Sequence, residues 1–421
     1  MSSRESLLDE LQWRGLLYQQ TEGLAAHLAK GPVTAYCGFD PTAASLHVGN
    51  LVPVMGLVHL QRAGHRPIAL VGGGTALIGD PSGKSTERPL IGADEVEANS
   101  AALRAQLGRF LDFSGGAGAR MRDNAVWLRE ARAIDFMRDV GKHFTVNYML
   151  AKESVQARLE TGISYTEFSY MLLQAYDFLE LHRREGATLQ IGGSDQWGNI
   201  TAGTELIRRS AGAEAHGLTL PLVTNASGKK FGKTEAGAVW LDATLTSPYQ
   251  FFQFWVNTED ADIGTFFRLF TLESQEQIDA HVAAHSRAPH ERKAQKWLAF
   301  KLTEWIHGRD AAARADSISQ VIFDKTADPG KIKDDGFADL SKEIPSSRHP
   351  GAEALSVLDV LEQAFGLSRS AGRKLVQQGA VTVNGEKLAA DALTVPREKA
   401  VRGRWFLVRK GARDIALADV G

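Results

Sequence analysis

The sequence predicts an α/β fold: a parallel sheet with helical crossovers, then a helical region and a small α+β domain. Two apolar segments, "VTAYCGFD" and "RPIALVGGG", flank the helix-like "LHVGNLVPVMGLVHLQRAGH". Strand, helix and strand at this spacing are typical of a parallel sheet with right-handed crossovers. A further strand-like segment, "ATLQIGG", also ends in glycines. Ligands in such sheets bind where strands end, so the pattern favours a Rossmann-like, nucleotide-binding domain.

Size and composition indicate several domains in one globular chain. The 421 residues exceed the usual limit of a single core, and a hydrophobic content of 43% is ordinary. The single cysteine, Cys37, excludes an internal disulfide and a zinc site made of cysteines. No apolar run is long enough to cross a bilayer, and the N-terminal stretch is too polar for a secretory signal. We therefore expect a cytoplasmic protein without a membrane partner.

Changes in composition divide the chain into regions. The predicted regions are a Rossmann-like domain with a helical insertion (1–225), a lysine-rich loop with a helical domain (226–325), an interdomain linker (326–353) and a small C-terminal domain (354–421). The linker is predicted because that stretch is polar, charged and broken by glycine and proline. The last domain is predicted from two short helical patterns, a "VTV" strand and the Asn384-Gly385 hairpin signal.

Two familiar phosphate-binding motifs are absent on close reading. "GDPSGKS" starts at Gly79, one residue too close to Gly83 and Lys84 for a P-loop. "GGGTAL" places Leu77 where a dinucleotide fingerprint requires a third glycine or alanine. Both failures weaken the kinase and dehydrogenase interpretations.

The motif "HVGN" has the residue types of a phosphate site at the start of a helix. The imidazole of His47 and the carboxamide of Asn50 can both donate to phosphate oxygens, and the helix dipole favours an anion there. Gly49 has no side chain and leaves room for a ribose or base against the backbone. No metal-ligand spacing accompanies His47, so a phosphate contact is favoured over a metal site.

A second cationic segment lies about 180 residues further along the chain. In "ASGKKFGKTEAG" (Ala226 to Gly237), called the lysine loop below, three lysines alternate with glycines and precede Thr234. Such a loop can close on a polyphosphate. Alone, it is more often a solvated basic turn. Together with "HVGN" it predicts a two-part phosphate site.

The paired motifs carry a resemblance to a known family. "HVGN" near the N-terminus with "KFGKT" later resembles the signature pair of class I aminoacyl-tRNA synthetases. "YCGFDPTA", "ALIGDPSGK", "YMLLQAYDF" and "GGSDQWGNI" are similar to bacterial tyrosyl-tRNA synthetases in particular. The C-terminal "LSRSAGRKLVQQGAVTVNG" resembles the S4 RNA-binding domain of such enzymes. The resemblance covers nearly the whole chain.

The motifs depart from the class pattern at two places. Asn50 stands where the signature often has histidine; both side chains donate hydrogen bonds, so we expect the role to persist. Phe231 and Gly232 replace Met and Ser of the general lysine signature. This second variant is the usual form among tyrosyl enzymes, so it sharpens the resemblance.

The resemblance implies a two-step reaction, in which ATP with Mg²⁺ activates L-tyrosine to tyrosyl-adenylate and the tyrosyl group then passes to the 3′-terminal ribose of tRNA(Tyr). No protein-bound metal is expected. The implied catalytic residues are His47, Asn50, Thr42, Lys84, Arg88, Lys230, Lys233 and Thr234. The implied tyrosine-binding residues are Tyr36, Asp80, Tyr170, Gln174, Asp177 and Gln196. The implied ATP-binding residues are Gly38, Asp40, His47, Gly49, Asn50, Gly193, Asp195, Lys230 and Lys233.

Three of the tyrosine-binding candidates share one face of a predicted helix. Tyr170, Gln174 and Asp177 lie at i, i+4 and i+7. By resemblance, this face lines the amino-acid pocket, with Asp177 and Tyr36 on the substrate phenol. A polar helix face is the simpler interpretation of the spacing alone, and the other motifs outweigh it.

The expected macromolecular partners are tRNA(Tyr) and a second copy of the chain. Arg208 and Arg209 are candidates for the acceptor end, and the C-terminal domain offers a basic helix with Arg369, Arg373 and Lys374. The segment "HFTVNYMLAKESV" resembles the region around which these enzymes form homodimers. Two alternatives stay open: a tryptophanyl-tRNA synthetase, and a non-catalytic RNA-binding regulator on a synthetase scaffold.

Overall fold

The structure is a computed structural model of the 421-residue chain. It describes residues 6–82, 90–160, 162–226, 228, 231–234, 237–324, 328–411 and 414–421. Across these residues, no helix is both long and apolar enough to cross a membrane.

Helices and strands alternate through the first half of the chain, and strands return at its end. The α-helices are α1 (Leu7–Arg14), α2 (Leu24–Ala29), α3 (Leu51–Arg62), α4 (Ala93–Leu107), α5 (Ala125–Leu128), α6 (Ala133–Asp139), α7 (Val146–Leu150), α8 (Glu153–Gln156), α9 (Tyr165–Glu185), α10 (Trp197–Ala211), α11 (Pro248–Val256), α12 (Ile263–Phe270), α13 (Gln275–Arg287), α14 (Lys293–His307), α15 (Arg309–Phe323), α16 (Asp334–Glu343), α17 (Val357–Phe365) and α18 (Arg369–Gln377). The strands are β1 (Gln19–Gln20), β2 (Thr34–Phe39), β3 (Arg66–Val71), β4 (Arg120–Asp123), β5 (Ala187–Gly193), β6 (His216–Leu220), β7 (Lys233–Thr234), β8 (Gly237–Ala238), β9 (Ser346–Arg348), β10 (Ala354–Ser356), β11 (Val381–Val383), β12 (Glu386–Lys387), β13 (Thr394–Pro396), β14 (Trp405–Lys410) and β15 (Asp414–Asp419).

The chain divides into two compact units. The first comprises Met1–Leu245 and Glu259–Arg287, and the second comprises Thr246–Thr258 and Ala288–Gly421. This division differs from the predicted region 226–325, because α11 belongs to the second unit. Its aromatic residues Phe251 and Trp255 are fully buried, and α11 packs against α14 and α15.

The first unit is built on the predicted parallel sheet. Its strand order is β1-β6-β5-β2-β3-β4, and all neighbouring pairs are parallel except β1 with β6. The central strands carry apolar residues on both faces, as a sheet covered by helices requires. In β2, five of the six positions are buried and only Gly38 is exposed. The order places β2 and β5 side by side in parallel, so their carboxyl ends lie at the same edge of the sheet.

Helix α9 supplies much of the core on one face of this sheet. Ser164 caps its start by accepting the N–H of Glu167, and Gly186 ends it with a φ of 65°. Phe178 and Leu181 on α9 are fully buried against Tyr36 and the residues around it. The same helix therefore anchors the core and presents its polar face to the end of β2.

The second unit ends in a sheet with a core on each face. Its order is β12-β11-β14-β15-β9, with β15 and β9 parallel. Because side chains alternate along a strand, Phe406 and Val408 face the core formed with α17 and α18. Trp405 and Leu407 face the opposite core, formed with α15 and α16.

The predicted linker differs from the structure in this region. Residues 326–353 include α16 and β9, and Phe337 and Leu340 on α16 are fully buried. The helix reads "DDGFADLSKE", so two apolar residues one turn apart carry the packing while the charged residues dominate the composition. The polar composition of this stretch led to the prediction of a linker where the chain forms an amphipathic helix.

The predicted Asn-Gly hairpin is confirmed. Asn384 and Gly385 both have positive φ, 49° and 85°, as the two central residues of a type I′ turn require. They join β11 to β12, with Val383 opposite Glu386.

Candidate active site

A cavity of about 420 Å³ lies at the carboxyl edge of the central strands of the first unit. Its lining contains residues from β2, β5, α9 and the start of α3. It brings together the predicted site residues Tyr36, Gly38, Asp40, Thr42, His47, Asn50, Asp80, Tyr170, Gln174, Asp177, Gly193 and Gln196. These residues span much of the first half of the chain, and a parallel sheet explains why they converge.

One end of the cavity is formed by Tyr36 and Asp177. Tyr36 is 1% exposed, and its hydroxyl has no hydrogen-bond partner among the described residues. Asp177 is 2% exposed and accepts hydrogen bonds from Trp127 Nε1 at 2.7 Å and from Asn124 Nδ2 at 2.9 Å. Burial raises the pKa of Asp177 to about 8, although these two donors oppose the shift. A ligand hydroxyl placed here can satisfy the Tyr36 phenol.

Two hydroxyl groups hold the side chain of Asp40 in the cavity wall. The hydroxyl of Tyr170 donates to Oδ2 of Asp40 at 2.8 Å, and that of Thr75 donates to Oδ1 at 2.7 Å. Burial and the neighbouring Asp40 raise the pKa of Tyr170 well above its usual value, so Tyr170 stays a donor. A Cβ at Gly72 would lie 1.9 Å from Oδ1 of Asp40. The glycine run that fails as a dinucleotide motif thus makes space for this carboxylate.

A second polar network surrounds Asp80. Gln196 Nε2 donates to Oδ2 of Asp80 at 2.7 Å, and the backbone N–H of Ser82 donates to Oδ1 at 2.9 Å. Asn199 Nδ2 donates to Oε1 of Gln174 at 3.1 Å and lies 3.2 Å from Oε1 of Gln196. The network fixes the orientation of both glutamines and leaves a carboxylate at the cavity wall.

The "HVGN" segment forms a reciprocal cap at the start of α3. Nδ1 of His47 accepts the N–H of Gly49 at 3.1 Å, and Oδ1 of Asn50 accepts the N–H of His47 at 2.9 Å. Because Nδ1 is an acceptor, a neutral His47 carries its proton on Nε2. The oxygen of Asn50 is used by the cap, so donation to a ligand falls to its Nδ2. A Cβ at Gly49 would lie 2.9 Å from Cε1 of His47, which explains the glycine.

The two signature motifs meet in space. The N–H of Val48 donates to the carbonyl of Val239 at 2.9 Å, and the N–H of Val239 donates to the carbonyl of Gly232 at 3.1 Å. Gly232 has a φ of 81°, and a Cβ there would lie 2.7 Å from Cγ2 of Val48 and 3.3 Å from N of Gly49. The lysine loop therefore packs its backbone directly against "HVGN".

Several predicted site residues are not placed by the structure. Lys84, Arg88 and Lys230 lie outside the described residues, and for Lys233 and Thr234 the structure describes the backbone as strand β7. Asp195 lies beside the cavity, with Oδ1 2.5 Å from the position of a Cβ on Gly193. Its exposed side chain follows the end of β5.

The predicted RNA-binding residues lie on two helices. On α10, Arg208 pairs with Glu205 at 2.7 Å, and Arg209 donates to the carbonyl of His143 at 2.6 Å. On α18, Arg369 pairs with Asp359 at 2.5 Å. Arg373 and Lys374 are exposed on the same helix.

A set of supporting residues around the cavity was not predicted from the sequence. They are Thr75, Asn124, Trp127, Gln190 and Asn199, each of which lines the cavity or bonds a side chain that does. Asn124 is the most connected, since its Nδ2 lies 2.9 Å from both Asp177 and Thr75 and its Oδ1 accepts the N–H of Gly74. Gln190 lies opposite Tyr36 in parallel register. A polar residue within the apolar strand "ATLQIGG" was the available signal for Gln190; the others lie in segments without a motif.

Comparisons with known proteins agree with this fold. A family model described as tRNA synthetases class I (W and Y) matches residues 28–324, and one described as the tyrosine–tRNA ligase SYY-like C-terminal domain matches residues 336–418. The mostly parallel sheet is that of a class I aminoacyl-tRNA synthetase. The chain belongs to the tyrosine–tRNA ligase family within this class.

Individual relatives support this assignment over the full chain. The tyrosine–tRNA ligase of Bacillus caldotenax is 51% identical over 414 residues, covering 97% of this chain and 98% of that protein. The tyrosine–tRNA ligase of Anaeromyxobacter dehalogenans is 51% identical over 420 residues, covering 99% and 100%. A C-terminally truncated mitochondrial tyrosyl-tRNA synthetase from Aspergillus nidulans has a TM-score of 0.70 at 28% identity, covering 76% of this chain and 95% of that structure.

The family membership decides between the alternatives left open by the sequence. The chain is an aminoacyl-tRNA synthetase that uses ATP, tyrosine and tRNA as substrates. The tryptophanyl alternative and the non-catalytic regulator are therefore set aside. Residues 336–418 match the SYY-like C-terminal domain, and the resemblance of residues 354–421 to an S4 RNA-binding domain stays a prediction.

Proposed function

We propose that the cavity binds L-tyrosine with its phenol between Tyr36 and Asp177. The unpartnered hydroxyl of Tyr36, 1% exposed, is the observation that carries this proposal, because a buried polar atom without a partner costs free energy that a ligand can recover. A site built to bind a hydroxyl discriminates strongly against the analogue that lacks it, a rule for which tyrosyl-tRNA synthetases are themselves the standard example. Phenylalanine is therefore rejected.

The polar groups around Asp80 are proposed to hold the amino-acid end of tyrosine. Asp80 supplies a negative charge for the ammonium group, with Gln174 and Tyr170 beside it. Gln196, fixed by its 2.7 Å hydrogen bond to Asp80, orients the tyrosine carboxylate toward the ATP side. Both ends of the substrate are then fixed before reaction, which removes much of the entropic cost of the encounter.

ATP is proposed to lie along the carboxyl edge of β2 and β5. Nε2 of His47 and Nδ2 of Asn50 donate to phosphate oxygens, with Thr42 next to them, and Gly49 leaves space for the nucleoside. The exposed Gly38 and the half-buried Gly193 give the ligand access to strand backbone. The carboxylate of Asp195 accepts from the ribose hydroxyls, and Asp40 lies between the two substrates.

The lysine loop is proposed to bind the leaving pyrophosphate together with Mg²⁺ carried by ATP. Lys230, Lys233 and Thr234 supply its cationic and hydroxyl groups, and Lys84 and Arg88 add charge from the segment after Asp80. The contact of Gly232 with Val48 and Gly49 supports this proposal, because it sets the loop beside the phosphate end of the cavity. Several such donors acting in the transition state contribute roughly 3 kcal/mol each.

The reaction is then driven by position and charge. The tyrosine carboxylate, ionised at neutral pH, forms a bond to the α-phosphorus of ATP while the bond to the bridging oxygen breaks and pyrophosphate leaves with the electron pair. In the second step, a ribose hydroxyl of tRNA attacks the tyrosyl carbonyl and AMP leaves. Neither step requires a protein nucleophile.

The tRNA(Tyr) contacts are proposed to come from both units of the chain. Arg208 and Arg209 on α10 approach the acceptor end, and Arg369, Arg373 and Lys374 on α18 bind the RNA backbone. The exposure of Arg373 and Lys374 supports this proposal, since phosphate contacts supply affinity with little sequence information.

A homodimer is proposed to form around α6 and α7. Ile134 and Met137 lie one turn apart on α6 and are 75% and 55% exposed, and Val146 at the start of α7 is 62% exposed. Exposed apolar residues of this kind mark association sites. Sedimentation of Met137→Glu should show a monomer where the wild type sediments as a dimer, whereas the same change at Leu245, which is 49% exposed, should leave the dimer intact. A monomeric wild type would refute the proposal.

Exchange of labelled pyrophosphate into ATP tests the activity directly. Exchange that depends on tyrosine, and is absent with tryptophan or phenylalanine, is the expected result. Tyr36→Phe removes the unpartnered hydroxyl and should raise the KM for tyrosine and relax the rejection of phenylalanine. Absence of exchange with every amino acid would refute the proposal, as would tyrosine exchange that Tyr36→Phe leaves unchanged.

A further inference from the structure

Asp262 directs its carboxylate to the lysine loop and away from its own helix. It lies at the N-terminus of α12, where aspartate usually accepts an N–H from the first turn, yet its side chain makes no such bond. Its Oδ2 instead accepts the N–H of Ala226 at 3.0 Å, and Asp262 is 8% exposed. Ala226 is the first residue of the lysine loop.

The same helix also holds the loop at a second point. The ring of Phe231 stacks on Phe270, with centroids 5.1 Å apart, and meets Phe266 edge-on at 4.9 Å. Phe266 and Phe270 are buried. Residues on both sides of the first two lysines of the loop are therefore attached to α12.

Helix α12 is itself fixed within the first unit. Arg14 on α1 is 2% exposed and donates to the carbonyl of Arg268 in the last turn of α12 and to those of Thr271 and Glu273 just after the helix. These bonds satisfy carbonyls that a helix end leaves without partners. Helix α12 also contacts α3, the helix that follows "HVGN". Helix α12 therefore contacts both the lysine loop and the helix that follows "HVGN".

We propose that Asp262 is a positioning residue for adenylate formation, which fixes the start of the lysine loop by accepting the N–H of Ala226. This inference rests on the proposed function of the loop. Asp262 contacts neither substrate. Its loss should slow the step that uses the loop while leaving the binding of tyrosine intact, because the groups proposed to bind tyrosine belong to a different part of the unit.

The test compares Asp262→Ala with Asp262→Asn in tyrosine-dependent pyrophosphate exchange. A displacement of about 1 Å in a positioned group can cost up to about a hundredfold in rate. We expect kcat to fall at least about tenfold in Asp262→Ala, with the KM for tyrosine unchanged. Asp262→Asn keeps an oxygen that can accept the N–H of Ala226, so it should recover most of the rate. Phe231→Leu weakens the second attachment and should lower kcat in the same manner.

Asp328→Ala is the matched control. Asp328 also accepts a backbone N–H, that of Gly330 at 2.8 Å, and it belongs to the second unit, so its loss should leave exchange unchanged. Trypsin should cut Asp262→Ala faster than the wild type at Lys229, Lys230 or Lys233, while the melting temperature falls by only about 2–4 °C.

The outcomes separate this inference from the proposed function. A wild type without tyrosine-dependent exchange refutes the function itself. If the wild type shows exchange and both Asp262→Ala and Phe231→Leu keep the wild-type kcat, only the positioning role is refuted. An equal rate loss in Asp262→Ala and Asp262→Asn, or a parallel rise in the KM for tyrosine, also refutes it.

Discussion

The hydroxyl of Tyr170 on α9 donates to Oδ2 of Asp40 at 2.8 Å, joining the long helix to the turn after β2. This bond fixes the Asp-Pro turn in front of "HVGN" from the side of the proposed amino-acid pocket. The two proposed substrate sites thus share a side-chain contact, and a change at one should be felt at the other.

Tyr170→Phe tests this coupling. The substitution removes the hydrogen bond from Tyr170 to Oδ2 of Asp40, which costs about 1–2 kcal/mol, so kcat/KM for ATP should fall roughly five- to thirtyfold. Pyrophosphate exchange kinetics measure it. Tyr18→Phe removes the hydroxyl of a tyrosine that is 65% exposed and should be neutral. An unchanged kcat/KM in Tyr170→Phe would show that this bond does not couple the two sites.

The buried carboxyl of Asp177 should make stability depend on pH. Its pKa in the folded chain is about 8, far above the value of about 4 expected in the unfolded chain. Between these values the folded chain binds more protons than the unfolded chain, so this group favours folding less as the pH rises, by at most about 1.4 kcal/mol per pH unit. Urea midpoints of the wild type relative to Asp177→Asn should therefore decrease from pH 5 to pH 8. A difference that is flat over this range would contradict the burial effect.

Gly232→Ala should separate the two signature motifs. The residue needs a φ of 81°, which costs an alanine roughly 1–2 kcal/mol, and its Cβ would lie 2.7 Å from Val48 Cγ2. We expect slower tyrosyl-adenylate formation at an unchanged KM for tyrosine, measured by rapid quench. Gly366→Ala has a φ of 65° with no atom within 4 Å of its Cβ, so it should lose stability and keep its rate. An equal loss of rate in Gly232→Ala and Gly366→Ala would show that backbone strain alone causes it, without any contribution from the contact with Val48.

Reversing the charges of α18 should affect only the step that involves tRNA. The double change Arg373→Glu and Lys374→Glu leaves pyrophosphate exchange unaltered and raises the KM for tRNA, because exposed phosphate contacts are lost. The salt dependence of tRNA binding should become shallower by about one unit of slope per contact. Lys293→Glu, at a side chain that is 78% exposed, serves as the control. Normal charging by the double variant would remove α18 from the RNA-binding surface.

The sequence predicted those parts of the fold whose pattern is local. Apolar strands ending in glycines predicted the parallel sheet, and the positive φ of Asn384 and Gly385 confirms a turn that two letters had predicted. Helix α16 was missed because the two fully buried apolar residues in "DDGFADLSKE" were outnumbered by charges.

The site was predictable where the motifs are contiguous, and less so where partners come from separate segments. "HVGN" and "KFGKT" could be paired by resemblance, and the structure adds the close approach of Gly232 to Val48 that explains the glycine of "KFGKT". Asn124 and Trp127 could not be predicted, because they hydrogen-bond Asp177 from 53 and 50 positions away along the chain. Spacing shows which residues share a helix face, and it does not show which residues of another segment meet them.

The placement of α11 has a consequence for synthesis on the ribosome. Helix α11 emerges between two segments of the first unit, but its partners α14 and α15 begin only at Lys293 and Arg309. Until they emerge, Phe251, Phe252 and Trp255 have no core to enter. The nascent chain therefore carries an aromatic helix whose packing partners are synthesised later, and apolar surface exposed in this interval favours aggregation.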